Sequence, residues 1–323
     1  MIHEETLAQM ERLKPQHNEE FDVIIIGAGP AGMSAGVCAA RAKLKTLIIE
    51  EALPGGEVSI AFKINNFLGF PDGILGEDLG HKMEQHLFNY DIAYANEGVE
   101  AIQDAHAPVK KVITSFNHTY LTRSIIIATG LVPKKLESPF ETQFLGRGVS
   151  YFAQCDGDFY SDKDVAVIGG GNCACYAADY LSQFVNRLYL IHRSDQLRAV
   201  NMLKEKVQSN PKIDIMWNSQ VTEAFGIDKI EKIKIQNTLT NQHTWVDLKA
   251  IFVYIGRIPP QQIEKFGVGV DEDGFILTDE YMKTTTPGIY AAGDIRSKQI
   301  RQIATAVSDG MIAAINIGKE CSR

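Results

Sequence analysis

An α/β fold is predicted, built from two parallel-sheet units with the second inserted in the first, and three observations predict it. An apolar run, Val23-Ile24-Ile25-Ile26, leads directly into Gly27-Ala28-Gly29-Pro30-Ala31-Gly32. The arrangement returns 142 residues further on, where Val165-Ala166-Val167-Ile168 leads into Gly169-Gly170-Gly171-Asn172-Cys173-Ala174. Near the end, Ile289-Tyr290-Ala291-Ala292 reads as another buried strand closing on Gly293-Asp294; if this last section rejoins the first unit, the second unit is an insertion.

Val23 to Ile26 are apolar at successive positions, as in a strand buried on both faces. Gly27 permits a tight turn, Gly29 lets backbone N–H groups approach a pyrophosphate, and Gly32 lets the following helix sit close to the strand. That helix runs to about Lys43 and points the positive end of its dipole at the turn. A second strand, Thr46 to Ile49, ends at Glu50, 18 residues after Gly32, where a carboxylate accepts hydrogen bonds from ribose hydroxyls. Together these elements read as a Rossmann-like dinucleotide-binding unit. In the second copy a helix runs to about Phe184 and a strand covers Leu188 to Ile191. The residue matching Glu50 is His192, followed by Arg193 and Ser194, with Arg198 beyond. A carboxylate suits a free ribose 2′-hydroxyl, whereas cations suit a 2′-phosphate, so the second site reads as built for NADPH. The alternative is that Arg193 and Arg198 form a solvated face.

Between the copies, Pro54-Gly55-Gly56-Glu57 is a turn that either brings backbone to a flat cofactor ring or merely joins strand to helix. Ile64 to Pro71, with Asn66, is an apolar, amide-rich loop. Gly76 to Tyr90 has helical spacing, with Leu79, Met83, Leu87 and Phe88 as its buried face. Ile92 to Ile127 is β-like and ends in Ala128-Thr129-Gly130, small residues that let the chain pass close to a dinucleotide. Leu131 to Val149, with Pro133 and Pro139, reads as a loop-like hinge. Gln208 to Val246 alternates short strands with polar turns, and Ile251 to Ile255 closes on Gly256-Arg257. Asp294 suits a sugar-alcohol hydroxyl, and Arg301-Gln302 precedes an Ala- and Gly-rich helix to about Ile317.

Composition narrows the function classes. The 323 residues suffice for two domains, and 45% hydrophobic content fits a packed core. With 32 basic and 40 acidic residues the net charge is −8, which argues against a nucleic-acid partner. No run approaches the ~18 apolar residues of a membrane span. Met1 to Glu20 is polar, has no signal-peptide core, and reads as a short arm. Cys38, Cys155, Cys173, Cys175 and Cys321 form neither a secreted disulfide framework nor a paired zinc spacing, which points to a reducing cytoplasm. No metal site is indicated among the eight histidines.

The combination resembles the low-molecular-weight thioredoxin reductase family of FAD-dependent pyridine nucleotide–disulfide oxidoreductases. The resemblance covers the chain from about Phe21. It rests on Gly27 to Gly32, Ala128-Thr129-Gly130, Gly169-Gly170-Gly171-Asn172, His192-Arg193, and Gly293-Asp294 followed by Arg301-Gln302. It implies a homodimer with an FAD domain over residues 1–131 and 260–323 and an NAD(P)H domain over 132–259, the second rotating about short connections. By position, Gly27, Gly29, Pro30, Ala31, Glu50, Gly56, Glu57, Asn66, Thr129, Gly130, Asp294, Arg301 and Gln302 would contact FAD. Gly171, Asn172, Cys173, Arg193, Ser194 and Arg198 would line the NADPH site. Cys155 and Asp156 would be the catalytic pair, with Cys155 a thiolate at the flavin and Asp156 a proton donor to a leaving group.

Three departures bear on activity. The family's redox motif is C-x-x-C before Asp-Gly, but here Phe152-Ala153-Gln154-Cys155-Asp156-Gly157 keeps only the second cysteine. Glu57 stands where the family usually has Gln. Ser194 replaces a second arginine, which weakens a 2′-phosphate grip and leaves NADH open. Thioredoxin reduction needs two sulfurs, one to attack and one to resolve. Three readings follow: a thiol–disulfide reductase drawing its second thiol from elsewhere, with Cys321 or a small-molecule thiol as source; an electron-transfer flavoenzyme passing electrons to ferredoxin, flavodoxin, quinone or oxygen; or a non-catalytic FAD-binding sensor. Cys38 and Cys175 read as core packing.

Overall fold

The computed structural model describes residues 14–321, so most of the arm expected over Met1–Glu20 lies outside the described residues. The chain forms two compact units. The first runs to Val132 and resumes at Ile258, and the second is Pro133–Arg257.

In chain order, β1 (Glu20–Ile26) feeds α1 (Pro30–Arg41) and β2 (Thr46–Glu50). Helix α2 (Gly76–Phe88) leads to β3 (Ala93–Asn96), β4 (Val99–Gln103), β5 (Lys110–Thr114) and β6 (Thr119–Ile127). The second unit begins with α3 (Pro139–Phe144), β7 (Val149–Ser150) and the one-turn helix α4 (Ala153–Asp156). Strand β8 (Asp164–Gly169), α5 (Asn172–Ser182), β9 (Arg187–Ile191), α6 (Asn201–Ser209) and β10 (Ile213–Met216) follow. Strands β11 (Ser219–Phe225), β12 (Lys232–Asn237) and β13 (His243–Asp247) form an antiparallel meander before β14 (Ala250–Tyr254). Back in the first unit are β15 (Ile289–Ala291) and α7 (Ile303–Cys321).

The first unit's sheet runs β3–β2–β1–β6 in parallel. The early half of β6 pairs with antiparallel β5, and its last residues, Ile125–Ile127, pair with parallel β15. Val23 and Ile25 face one core with α1, α2 and α7, while Ile24 and Ile26 face a second core with Tyr120, Phe266 and Ile276. Burial on both faces is why β1 is apolar at every position. The second sheet is β7–β14–β8–β9–β10, all parallel. In parallel α/β sheets ligands bind beyond the carboxyl ends of the strands. The glycine turns, Glu50, Thr129, Asp294 and the segment carrying Cys155 all lie at those ends.

The stretch expected to be a loop-like hinge, Leu131 to Val149, contains helix α3 instead. Phe140 and Phe144 are buried in the second unit's core, with Ile168 and Val253. The buried Glu141 carboxylate accepts hydrogen bonds from Leu136 N, Glu137 N and the Tyr151 hydroxyl. Pro139 sits at the first turn of this helix, where its missing N–H costs nothing. Proline was therefore a helix start and not a breaker.

Candidate functional site

The two glycine turns are built alike. Gly27 has φ +105° and Gly169 has φ +146°, both in the left-handed region where a side chain is strained. A Cβ on Gly27 would lie 2.4 Å from Ala128 O, and one on Gly169 would lie 2.3 Å from Tyr254 O. Each glycine is therefore wedged against the adjoining parallel strand end. Two residues later, Gly29 and Gly171 are the N-caps of α1 and α5, in nearly the same extended backbone geometry. A Cβ on either of these would meet no protein atom within 4 Å. The space above the helix N-termini is open, and the N–H groups of a helix's first turn suit a pyrophosphate.

The strand ends that differ in sequence also differ in role. Glu50 Oε2 accepts a hydrogen bond from Ala28 N at 2.6 Å, and Oε1 accepts one from Ala52 N at 2.9 Å. This carboxylate is thus held against the first turn, with lone pairs left for a ribose. His192 occupies the matching place under the second turn, but it is 3% exposed. A Cβ on Gly170 would come within 2.3 Å of its ring. Burial first, and then the charges of Arg198 and Arg193, lower its pKa. The cation expected at this strand end is therefore not His192, a neutral packing residue; Arg193 and Arg198 carry the charge. The unfolded state binds a proton near the ordinary pH 6.5 that the folded ring resists, so the stability His192 contributes is intact above that pH and is lost as pH falls below it. Thermal melts should show a lower Tm at pH 5 than at pH 7, with a smaller difference in His192→Asn.

Around the first turn the expected residues converge. The Pro54–Glu57 turn docks on it: Gly55 N donates to Ala28 O, and a Cβ on Gly56 would lie 3.3 Å from Gly29 Cα. Glu57 is exposed, in the short 3₁₀ turn Gly56–Val58. Thr129 Oγ1 is buried with no hydrogen-bond partner, beside Gly27 at the end of β6. Gly130 follows with φ +62°. Asn66 Nδ2 donates to Gln302 Oε1 at 2.9 Å, joining positions 236 residues apart. Arg301 stacks 3.9 Å over Phe275 and donates to the backbone oxygens of Asp294 and Arg296, which fixes the Asp294 loop.

One residue of this region escaped sequence reasoning. Asp309, 7% exposed on α7, accepts from Gly293 N, pairs with Arg296 at 2.8 Å and with Lys298 at 2.8 Å. The signal was a carboxylate inside an apolar helical run. A buried charge of this kind is paired, and here its partners hold the turn before Asp294.

In the second unit a cleft is lined by Pro133, Tyr151, Gly171, Asn172, Cys173, Ala174, Arg198 and Val253 to Arg257. Arg198 N donates to Gly170 O, and Val200 N donates to Asn172 Oδ1, so the Arg198 segment is tied to the glycine turn. Arg193 and Ser194 are exposed and do not line the cleft. Cys173 is exposed in it, whereas Cys175 is buried.

Cys155 is exposed on α4. Burial, and secondarily the charge of Asp156, raise its pKa, which is opposite to what a resting thiolate needs. The Asp156 carboxylate accepts from Ser150 Oγ at 2.6 Å, and Ser150 Oγ in turn accepts from Phe152 N. Cys321, considered as a second thiol, lies in the last turn of α7 near Asp22 and Arg123. That is the amino-terminal edge of the first unit's sheet, roughly 20 Å along a seven-residue strand from the glycine turn. Among the described residues no cluster could hold a metal, and no helix is long and apolar enough to cross a membrane.

The open N-cap spaces, the held Glu50 and the orphaned Thr129 hydroxyl fit adenine dinucleotides in both turns. Comparison with known proteins agrees. Residues 21–310 match the pyridine nucleotide-disulphide oxidoreductase family. The chain is 40% identical over 301 residues to a thioredoxin reductase of Listeria innocua, covering 93% of each. It resembles the crystal structure of Lactococcus lactis thioredoxin reductase with a TM-score of 0.88 and 40% identity, covering 93% of this chain and 98% of that one. A ferredoxin-flavin thioredoxin reductase from Clostridium acetobutylicum is 30% identical with a TM-score of 0.52, covering 95% and 99%. The chain belongs to the pyridine nucleotide-disulphide oxidoreductase family, and is an FAD-dependent NAD(P)H oxidoreductase of the thioredoxin reductase fold.

Proposed function

We propose that this chain carries electrons from NADPH by way of FAD to a small redox partner, with FAD in the first unit and NADPH in the second. The observation that carries the assignment is one turn built twice, with Glu50 held beneath the first copy and Arg198 tied to the second. Bound FAD supplies the hydride acceptor and the outlet for electrons. The chain's own groups do the rest. Gly29 and Gly171 open helix N-termini to phosphates, Glu50 accepts from a ribose, and Arg198 offers a cation to a 2′-phosphate.

Relatives named thioredoxin reductase support a thioredoxin-like partner. Cys155 can form a mixed disulfide with such a partner but cannot release it alone, because Phe152 carries no sulfur. The ferredoxin-flavin relative supports the second reading, in which ferredoxin or flavodoxin exchanges electrons with the flavin and Cys155 is dispensable. A cytoplasmic homodimer is the form we expect.

Anaerobic addition of NADPH should bleach the flavin, at lower concentrations than NADH; flavin that stays oxidised with both refutes the hydride step. Thioredoxin reduction should be negligible without added thiol. Cys155→Ser should abolish thiol-supported disulfide turnover and spare electron exchange with a ferredoxin or quinone. Loss of both activities together would mean that Cys155 serves the flavin itself.

A further inference from the structure

Helix α4, which carries Cys155, is one turn of four residues. So short a helix has little stability of its own, and its orientation depends on what binds its unpaired N–H groups. Two side chains do so. Ser150 Oγ accepts from Phe152 N at 2.9 Å, and the Tyr254 hydroxyl accepts from Ala153 N at 2.9 Å. Ala153 is 101 residues from Tyr254 in sequence. Ser150 belongs to β7, the strand just before the helix, and pairs with Phe252 of β14. Tyr254 ends β14, in parallel register with Gly169 of the glycine turn, and its residue lines the cleft with Asn172, Cys173 and Arg198. One side chain thus has its residue in the wall of the nucleotide cleft and its hydroxyl on the first N–H of the cysteine helix.

We infer that Tyr254 is a positioning residue that couples occupancy of the second unit's cleft to the reactivity of Cys155. A nucleotide in the cleft lies against the Tyr254 end of β14. It thereby restricts the phenol, and the phenol holds Ala153 N and the turn that presents the thiol. An empty cleft leaves that hold looser. The inference rests on the reading of this cleft as the NADPH site. It assigns a thiol response to nucleotide binding within one unit, before any electron moves.

The test uses the FAD-loaded enzyme and NADP⁺, which cannot donate hydride. Calorimetry measures NADP⁺ binding, and mass spectrometry follows iodoacetamide alkylation at Cys155 separately from Cys173. In the wild-type enzyme, saturating NADP⁺ should slow alkylation of Cys155 by at least about threefold. Tyr254→Phe keeps the ring and loses the acceptor. Ala153→Pro removes the donor from the other end of the same bond, at the first helical position, where proline is tolerated. At NADP⁺ concentrations that calorimetry shows to saturate each variant, both should alkylate faster at Cys155 without the nucleotide and lose the response to it. Retention of the response in both variants would show direct shielding and overturn the coupling, as would a wild-type enzyme that binds NADP⁺ with no change at Cys155. Loss of NADP⁺ binding at every concentration in Tyr254→Phe would place that hydroxyl in binding alone and also overturn it. A wild-type enzyme that binds no NADP⁺ removes the cleft assignment itself, and the coupling with it.

Discussion

Gly27→Ala should yield protein that folds poorly and retains no flavin, whereas Gly29→Ala should yield folded protein that has lost flavin affinity. At Gly27 an added methyl meets two costs at once. The backbone has φ +105°, and the Cβ would stand 2.4 Å from Ala128 O, a backbone atom just past the end of β6 in a residue whose N–H is bonded to Ile26 O of β1. Together these should destabilise the first unit by on the order of 2–4 kcal/mol, a large share of a domain's net stability. At Gly29 the backbone is ordinary, with φ −76°, and a Cβ meets nothing. Alanine there removes chain entropy from the unfolded state but caps a helix less well than glycine, so the two effects oppose and the apo Tm should change little. The open space over Gly29 is where a pyrophosphate would approach the N–H groups of α1, so the same methyl should raise the Kd for FAD at least tenfold. Thermal melts of apo protein and flavin titration separate the two outcomes. Full FAD affinity in Gly29→Ala would mean that the dinucleotide does not lie over this turn.

Phe152→Cys should convert the chain into a disulfide-forming enzyme. Phe152 is the N-cap of α4 and lies three residues before Cys155, across a single helical turn. Positions so spaced on a helix have Cα atoms about 5 Å apart, inside the Cα range that a disulfide spans. Phe152 is 37% exposed, so its ring is not a core element whose loss would open a cavity. The oxidised variant should show two fewer titratable thiols than the reduced one. NADPH-dependent thioredoxin reduction should rise at least tenfold over the wild-type chain with no thiol added. The new disulfide also relieves the demand on Cys155 to be a standing thiolate, since electrons then arrive at a disulfide and leave as a dithiol. An unchanged thiol count would show that α4 holds the two side chains apart. A formed disulfide without thioredoxin turnover would favour the ferredoxin or flavodoxin reading of the partner.

Both predictions depend on features that differ in how visible they are from the residues alone. The glycine turns were legible because the geometry at Gly27 and Gly169 is local: a tight turn after a buried strand admits few residue types, and the helix that follows begins within two residues. Glu50 was legible for the same reason, since strand and helix lengths fix where it ends up. His192 was not. Its sequence neighbours Arg193 and Arg198 suggest a cationic site, but its ring fills the space beneath Gly170, and only burial reveals it as neutral packing. Helix α3 was missed because a proline that opens a helix and a proline that breaks one look alike until Phe140 and Phe144 find a core.

By itself the sequence determined the repeated strand–turn–helix units, the acidic end of the first copy and the loss of one sulfur beside Cys155. Each is set by residue identity within a span of about 30 residues. Only the tertiary structure decided that Asn66 meets Gln302, that Asp309 holds the turn before Asp294, and that Tyr254 caps the helix of Cys155. Those pairs join residues from 16 to 236 positions apart. Hydrogen bonds between distant side chains, or from a distant backbone N–H to a side chain, leave no periodicity in the chain; they exist only once the fold brings those segments together.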